Sequence, residues 1–258
     1  MPEPRLLTDE TLSVGAEIAL DDAQARHVGT VLRLGVGDAV RPFNARDGEW
    51  RAKINAKSKR GMTMIVESLL REARVAPDLD LLFAPVKRHA TDLIVEKATE
   101  LGVRRIRPVI TQRTIAETVR LDRLEAIARE AAEQTERFEA PEICEAISLA
   151  KALDGWDPTR PLIYADERGD DAEKAWGGEE GRARPIGAAL QPPAHGAPGK
   201  LALLVGPEGG FTTEERRMLR TIAHVIPVSL GPRILRAETA VIAALSVIQA
   251  VWGDWARA

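Results

Sequence analysis

The sequence predicts an α/β protein in two parts, a small β-rich domain over residues 1–76 and a larger parallel α/β domain over 77–258. Three observations carry this reading. Short strand segments with a hairpin signal crowd the N-terminal part. From Leu79 onward, nearly unbroken apolar strands alternate with helical patterns, as in a parallel sheet covered on both faces. Two of the late strands run into irregular loops that open helices, and ligands of α/β sheets gather at such strand ends.

In the first domain, Val40 to Phe43 and Trp50 to Ile54 are strand segments flanking Asn44-Ala-Arg-Asp-Gly48, whose Asp-Gly pair marks a hairpin. Met62 to Val66 is another strand. Asp21 or Asp22 can cap a helix running to Leu32. Segment 51–60 carries five cations and no acid, which suits a solvated face or a strand edge protected against pairing.

In the second domain, the strand Leu79 to Pro85 leads to a helix over Thr91 to Leu101. Ile94, Ala98 and Leu101 share one face of it, and Gly102 lies where a C-terminal cap belongs. The strand Ile106 to Ile110 precedes an amphipathic helix over Leu121 to Phe138, with Leu121, Leu124, Ala128, Ala131 and Thr135 on its core face. Pro161 to Ala165, Leu201 to Val205 and Val225 to Val228 complete the apolar strands. Between Glu167 and Lys200 the chain is rich in Gly, Ala, Pro, Arg and acids. It reads as a flexible surface insertion over about 167–200, without secondary structure, in which His195 has no chemical role. The helix from Thr239 to Trp252 is apolar nearly all round, so it must be covered on more than one side. A second copy of the chain is one such cover.

Composition bounds the function. Hydrophobic residues make up 45%, charged residues 29%, and the net charge is −3, so a nucleic acid must be met by local patches. The single cysteine, Cys144, excludes an internal disulfide, suits a reducing cytoplasm and reads as a buried structural thiol. His27, His89, His195 and His224 lack metal-ligand spacing, so no metal is expected. The N-terminus lacks the basic and apolar stretches of a signal peptide. No apolar stretch reaches the roughly 20 residues of a membrane helix. A soluble, cytoplasmic protein is expected.

The informative feature is a pair of loops. Leu201-Ala-Leu-Leu-Val205 runs into Gly206-Pro-Glu-Gly-Gly-Phe211 and then Thr212-Thr-Glu-Glu215. Thr212 and Glu215 have capping-box spacing, which satisfies the helix donors internally. With Glu208 inside the loop and no lysine after the glycines, this turn is a poor phosphate cradle. It suits a neutral or cationic ligand held by backbone groups. The second loop is Leu230-Gly-Pro-Arg-Ile-Leu-Arg-Ala-Glu-Thr-Ala240, with two cations and an acid at a helix start.

Together these loops closely resemble the SPOUT class of methyltransferases, and within it the RsmE family, which methylates N3 of a uridine in 16S ribosomal RNA. Ile94-Val-Glu-Lys-Ala-Thr-Glu-Leu-Gly102, Glu130-Ala-Ala-Glu-Gln134 and His27-Val-Gly-Thr-Val-Leu-Arg33 extend the resemblance over most of the chain. It implies a PUA-like β-barrel followed by a trefoil-knotted, mostly parallel SPOUT domain. It also implies S-adenosyl-L-methionine as cofactor, a homodimer, and 16S rRNA as partner within the 30S subunit. The insertion departs from the family in length, and Arg5 is followed by Leu6-Leu7 where the family often has an aromatic residue.

By this resemblance the cofactor pocket takes Leu204, Gly206, Glu208, Gly209 and Gly210 from the first loop. Leu230, Gly231, Ile234, Leu235, Arg236, Glu238, Thr239 and Ala240 come from the second. Uracil N3 is a poor nucleophile while protonated and needs a base, a cation to stabilise the developing anion, or both. Arg236 is the expected cation, with Glu238 as base or as the group orienting it. Arg5, Arg33, Lys53, Lys57, Lys59 and Arg60, with Lys87, Arg88 and Arg113 near strand ends, are the expected RNA contacts. The alternatives are a SPOUT enzyme acting on another RNA or on a ribose 2′-hydroxyl, and a non-catalytic RNA-binding protein of ribosome assembly.

Overall fold

The computed structural model describes residues 3–58, 61–115, 118–171, 173–174, 177–192 and 199–255. The chain divides into two compact units, Met1–Val75 with Arg129–Ala140, and Ala76–Ala128 with Pro141–Ala258.

The first unit is built on a five-stranded sheet. Its strands are β1 (Arg5–Leu7), β2 (Glu17–Ala19), β3 (Ala39–Asn44), β4 (Gly48–Ser58) and β5 (Gly61–Arg71), in the order β1-β3-β4-β5-β2. Only β1 and β3 pair in parallel. The Asp-Gly hairpin forms where expected, with Asn44 paired to Gly48, and Gly48 takes the left-handed φ of 86° that a side chain would resist. Val40, Ala52, Ile54, Met64 and Val66 form the buried face. Asp21 caps α1 (Asp22–Arg26) in a capping box with Gln24. The single helix expected to reach Leu32 changes pitch instead, becoming a π-helical turn over His27–Val31. Lys57 closes that turn, donating to the carbonyls of Gly29 at 3.0 Å and Leu34 at 2.8 Å.

Glu49, fully buried, is the electrostatic centre of this unit. It pairs with Arg5 at 3.3 Å, with Arg41 at 2.9 Å and with Arg71. Arg5 lies over the Phe43 ring at 3.8 Å and donates to the carbonyls of Ala132, Glu133 and Arg137. The first two carbonyls end α3 (Leu121–Gln134) and the third lies just beyond it; the last turns of α3 belong to the first unit. A buried cation thus serves as the cap of a helix C-terminus. The helix stops at Gln134, four residues short of the expected Phe138, and Glu136 follows with a positive φ of 61°. Thr135, expected on the core face, is exposed, and Ala132 is buried there in its place.

The second unit is an α/β layer structure. Its strands are β6 (Asp78–Phe83), β7 (Arg105–Ile110), β8 (Glu142–Ile143), β9 (Ile147–Ser148), β10 (Leu162–Ala165), β11 (Arg184–Pro185), β12 (Lys200–Val205) and β13 (Val225–Ser229). The parallel sheet runs β11-β13-β10-β12-β6-β7-β8, with β9 also on β7. Helices α2 (Arg88–Glu100), α4 (Leu149–Leu153), α5 (Ile186–Ala189), α6 (Thr213–Thr221) and α7 (Ala237–Val251) connect and cover it. Leu79, Leu81, Leu203 and Val205 bury one sheet face, with Ile94, Val241, Leu245 and Ile248 from α2 and α7 in the same core. Tyr164, Leu162, Leu204 and Phe211 bury the other. Both faces are covered, which is why the strands read as unbroken apolar runs.

Apolar α7 is covered by α2, α5 and β12 of its own unit. Gln249 is fully buried within it and donates to the Leu101 carbonyl at 2.6 Å, beside Gly102 with its φ of 80° at the end of α2. Cys144 is buried, and burial pushes its thiol up.

The 167–200 segment, expected to form no elements, contains β11 and α5, and Ile186 and Leu190 are buried in the main core. Its first half is held by charge. Arg216 and Arg220 of α6 clamp Asp166 at 2.9 and 2.8 Å, and donate to the carbonyls of Arg168, Gly169 and Gly181. Residues 193–198, with His195, lie outside the described residues.

Replacing Glu49 by Ala strands the buried Arg5 guanidinium without its counter-charge. Urea denaturation should show a loss of about 3–5 kcal/mol, the usual cost of breaking a buried pair. A loss below about 1 kcal/mol would remove Glu49 from the centre of this unit.

Candidate active site

Sheet order brings the two loops together. β10 lies between β12 and β13, so the loops leaving β12 and β13 rise on either side of the end of β10. They line one open cavity of about 60 Å³. Of the expected cofactor residues, Gly206, Glu208, Gly210, Leu230, Gly231, Ile234, Leu235 and Ala240 line it. Leu204 is buried in the core beneath, and Gly209 faces Arg113. Arg236, Glu238 and Thr239 stand at the start of α7 outside the lining. Arg236 is the N-cap residue and is exposed, and Glu238 is half-buried in the first turn.

Local chemistry explains the shape of the first loop. Thr212 and Glu215 form the expected capping box, and Glu215 also accepts from the Gln112 amide at 2.8 Å. The Gly210 amide donates to the Pro207 carbonyl at 2.8 Å, closing a turn in which Gly210 has a φ of 65°. Arg113 fixes that turn by donating to the Gly209 carbonyl at 2.8 Å. Phe211 is buried edge-on against Tyr164, with ring centroids 5.0 Å apart. A Cβ on Gly206 would stand 2.5 Å from the Phe211 ring, so only glycine leaves the ring its place. In the second loop, Ser229 accepts from the Gly231 amide at 3.2 Å, and Gly231 has a φ of 113°.

The end of β10 supplies residues that the motifs did not point to. Ala165, Asp166 and Glu167 line the cavity, as does Arg233. Asp166 is committed to its two arginines. Burial pushes the Glu167 carboxyl up, and Asp166 adds to that rise. Glu167 and Glu208 thus border the cavity together with the committed Asp166, the Arg233 cation, glycine backbone and the apolar side chains of Leu230, Ile234 and Leu235. Glycine-rich backbone, apolar side chains and acids fit an adenosyl sulfonium better than a phosphate.

Many of the expected RNA contacts are already engaged. Arg5 is buried, Lys53 pairs with Glu67 at 2.8 Å, Lys57 caps the π-helical turn and Arg113 holds the glycine loop. Arg33, with a φ of 60°, and Lys87 and Arg88 are exposed and make no ion pair among the described residues. Lys59 and Arg60 lie outside the described residues.

A second, roomier hollow of about 400 Å³ shares Pro207 and Glu208 with the first. The narrower cavity is the one formed where the two motif loops converge, and on that ground it is the candidate cofactor site. No helix among the described residues is long and apolar enough to cross a membrane.

Comparison with known proteins identifies the family. Residues 74–249 match the model of the RNA methyltransferase domain, and residues 20–67 that of the RNA methyltransferase PUA domain. Ribosomal RNA small subunit methyltransferase E of Rickettsia conorii is 33% identical over 246 residues, covering 95% of this chain and 94% of its own. That of Synechocystis is 31% identical over 256 residues, covering 96% and 77%. A putative methyltransferase of Legionella pneumophila, solved with the bound cofactor SAM, superposes with a TM-score of 0.82 at 30% identity, covering 98% of this chain and 100% of its own. The methyltransferase E of Neisseria gonorrhoeae, bound to S-adenosyl methionine, gives 0.81 at 28%, covering 98% and 99%. On sequence and on fold alike, the chain belongs to the RNA methyltransferase family, in the group of ribosomal RNA small subunit methyltransferase E.

Proposed function

We propose that this protein transfers the methyl group of S-adenosylmethionine to N3 of a uridine in 16S rRNA, within the 30S subunit and as a homodimer. The observation that carries the reading is the single cavity lined by both glycine loops across the end of β10. The SAM-bound relatives support the cofactor, and the PUA match supports RNA as substrate. When bound, the cofactor supplies a methyl carbon already activated by its sulfonium. The chain's task is then to align a nucleophile and exclude water.

Gly206, Gly210 and Gly231 let backbone approach the adenosyl group, and Leu230, Ile234 and Leu235 offer its purine an apolar wall. Glu167 and Glu208 balance the positive end of the cofactor. A cation is needed for the negative charge spreading to the uracil oxygens as N3 loses its proton; Arg236, with Glu238 to orient it, is the proposed one although both stand outside the lining of the cavity and of the hollow beside it. Arg33, Lys87 and Arg88 hold RNA phosphates. The N3 edge is the pairing edge of uracil, so the target base is unpaired or extruded when it reacts.

Nucleosides from the ribosomal RNA of a deletion strain decide between the target atoms. Mass spectrometry should show 3-methyluridine lost, whereas loss of a 2′-O-methyl nucleoside would overturn the assignment. Gly206→Ala should abolish the heat of S-adenosylmethionine binding in calorimetry, since the new Cβ displaces Phe211. Unchanged affinity would place the cofactor elsewhere. Arg236→Ala should stop methylation while cofactor affinity stays within a few-fold. Near-normal turnover would show that the cation is another residue.

A further inference from the structure

The second hollow is a built feature of the same sheet edge. In strand order, the cofactor cavity stands over the ends of β13, β10 and β12, and the hollow stands over those of β12, β6 and β7. The turn after β12 is the shared wall, and Pro207 and Glu208 line both spaces. That wall is fixed by the Gly210 to Pro207 hydrogen bond and by Arg113 on the Gly209 carbonyl. At about 400 Å³ the hollow falls within the range of small-molecule sites.

Its lining is sorted by chemistry. Pro85, Val86, Val119 and Leu124 give an apolar floor suited to a flat base. Lys87 and Arg88 stand exposed at the rim, suited to a phosphate. Among the described residues two carboxylates line it. Asp92 accepts from Nε and Nη2 of Arg123, at 2.9 and 2.5 Å, which holds its carboxyl below the usual range. Glu208 is exposed and has no hydrogen bond or ion pair among the described residues. An acceptor in this hollow and a methyl donor in the next would meet across Glu208.

We infer that this hollow takes the acceptor uracil nucleotide, and that the Glu208 carboxylate accepts the proton from its N3. The inference rests on the function proposed above and names where the substrate sits. Uracil N3 gives its proton to Glu208 and gains the methyl group, while the donor sulfur keeps the electron pair of the broken carbon–sulfur bond. Among the described residues, the other charged groups lining the two spaces are Lys87, Arg88, Arg113, Arg120, Arg123 and Asp92 on the hollow side, and Arg233, Asp166 and Glu167 on the cofactor side.

Two variants of the full-length protein test this against 30S particles lacking the modification. Val119→Trp fills the hollow without touching the cofactor cavity. It should leave S-adenosylmethionine affinity within about threefold, abolish the NMR shifts caused by uridine 5′-monophosphate in the cofactor-free protein, and cut methylation about a hundredfold. Glu208→Gln keeps the shape and removes the base. Its turnover at neutral pH should fall about a hundredfold and climb with pH more steeply than that of the unmodified protein. Particles carrying 5-fluorouridine, whose N3 proton is more acidic, should recover most of the loss. Rescue of that kind does not follow from a merely structural role. Normal uridine monophosphate binding by Val119→Trp would move the acceptor elsewhere. A Glu208→Gln loss that neither pH nor 5-fluorouridine relieves would overturn the proton assignment. Failure of the unmodified protein to bind cofactor or methylate 30S would instead overturn the function itself.

Discussion

Everything at the candidate site depends on the placing of β10 between β12 and β13. In the chain, the two glycine loops are separated by α6 and β13. In space they flank one strand end, because β10 pairs in parallel with both neighbours. The same order puts β6 on the far side of β12, so the Pro207–Glu208 turn ends up between two spaces. Were β13 beside β12 directly, the acids at the end of β10 would not enter the cavity. The clamp of Asp166 by Arg216 and Arg220 holds the chain where it leaves that strand.

Cations divide into those that hold the protein together and those left for a partner. Arg5, Arg71 and Arg41 converge on one buried carboxylate, and Arg5 also closes a helix end. Lys57 and Arg113 spend their donors on backbone carbonyls. With a net charge of −3, the chain has no surplus of positive charge to spread over its surface. Arg33, Lys87 and Arg88 are among the exposed cations that make no ion pair among the described residues. They remain exposed, where phosphate contacts give position and not sequence.

The segment after β10 shows how an apolar pattern can be the wrong thing to look for. Its composition cannot build a core of its own, yet two arginines of α6 bind its carbonyls and Asp166. Two apolar residues, Ile186 and Leu190, then reach the main core. Order here comes from hydrogen bonds donated by a helix that lies later in the chain. No local reading of residues 167–192 contains that information.

By itself the sequence determined the longer strands but not the short β1, β2, β8, β9 and β11, and it determined the parallel class of the larger sheet, the Asp-Gly hairpin and the capping box at Thr212. Each follows from periodicity or from chemistry between residues a few positions apart. It also marked the two loops, because glycines, an acid and apolar strands recur there in a recognisable pair. Only the tertiary structure decided that Glu167 and Asp166 join the cavity, that Arg236 and Glu238 stand outside its lining, and that Arg5 is buried. Strand order, and which carbonyls a long side chain can reach, are set by packing between segments remote in the chain. Such partnerships leave no periodic trace in the residues that make them.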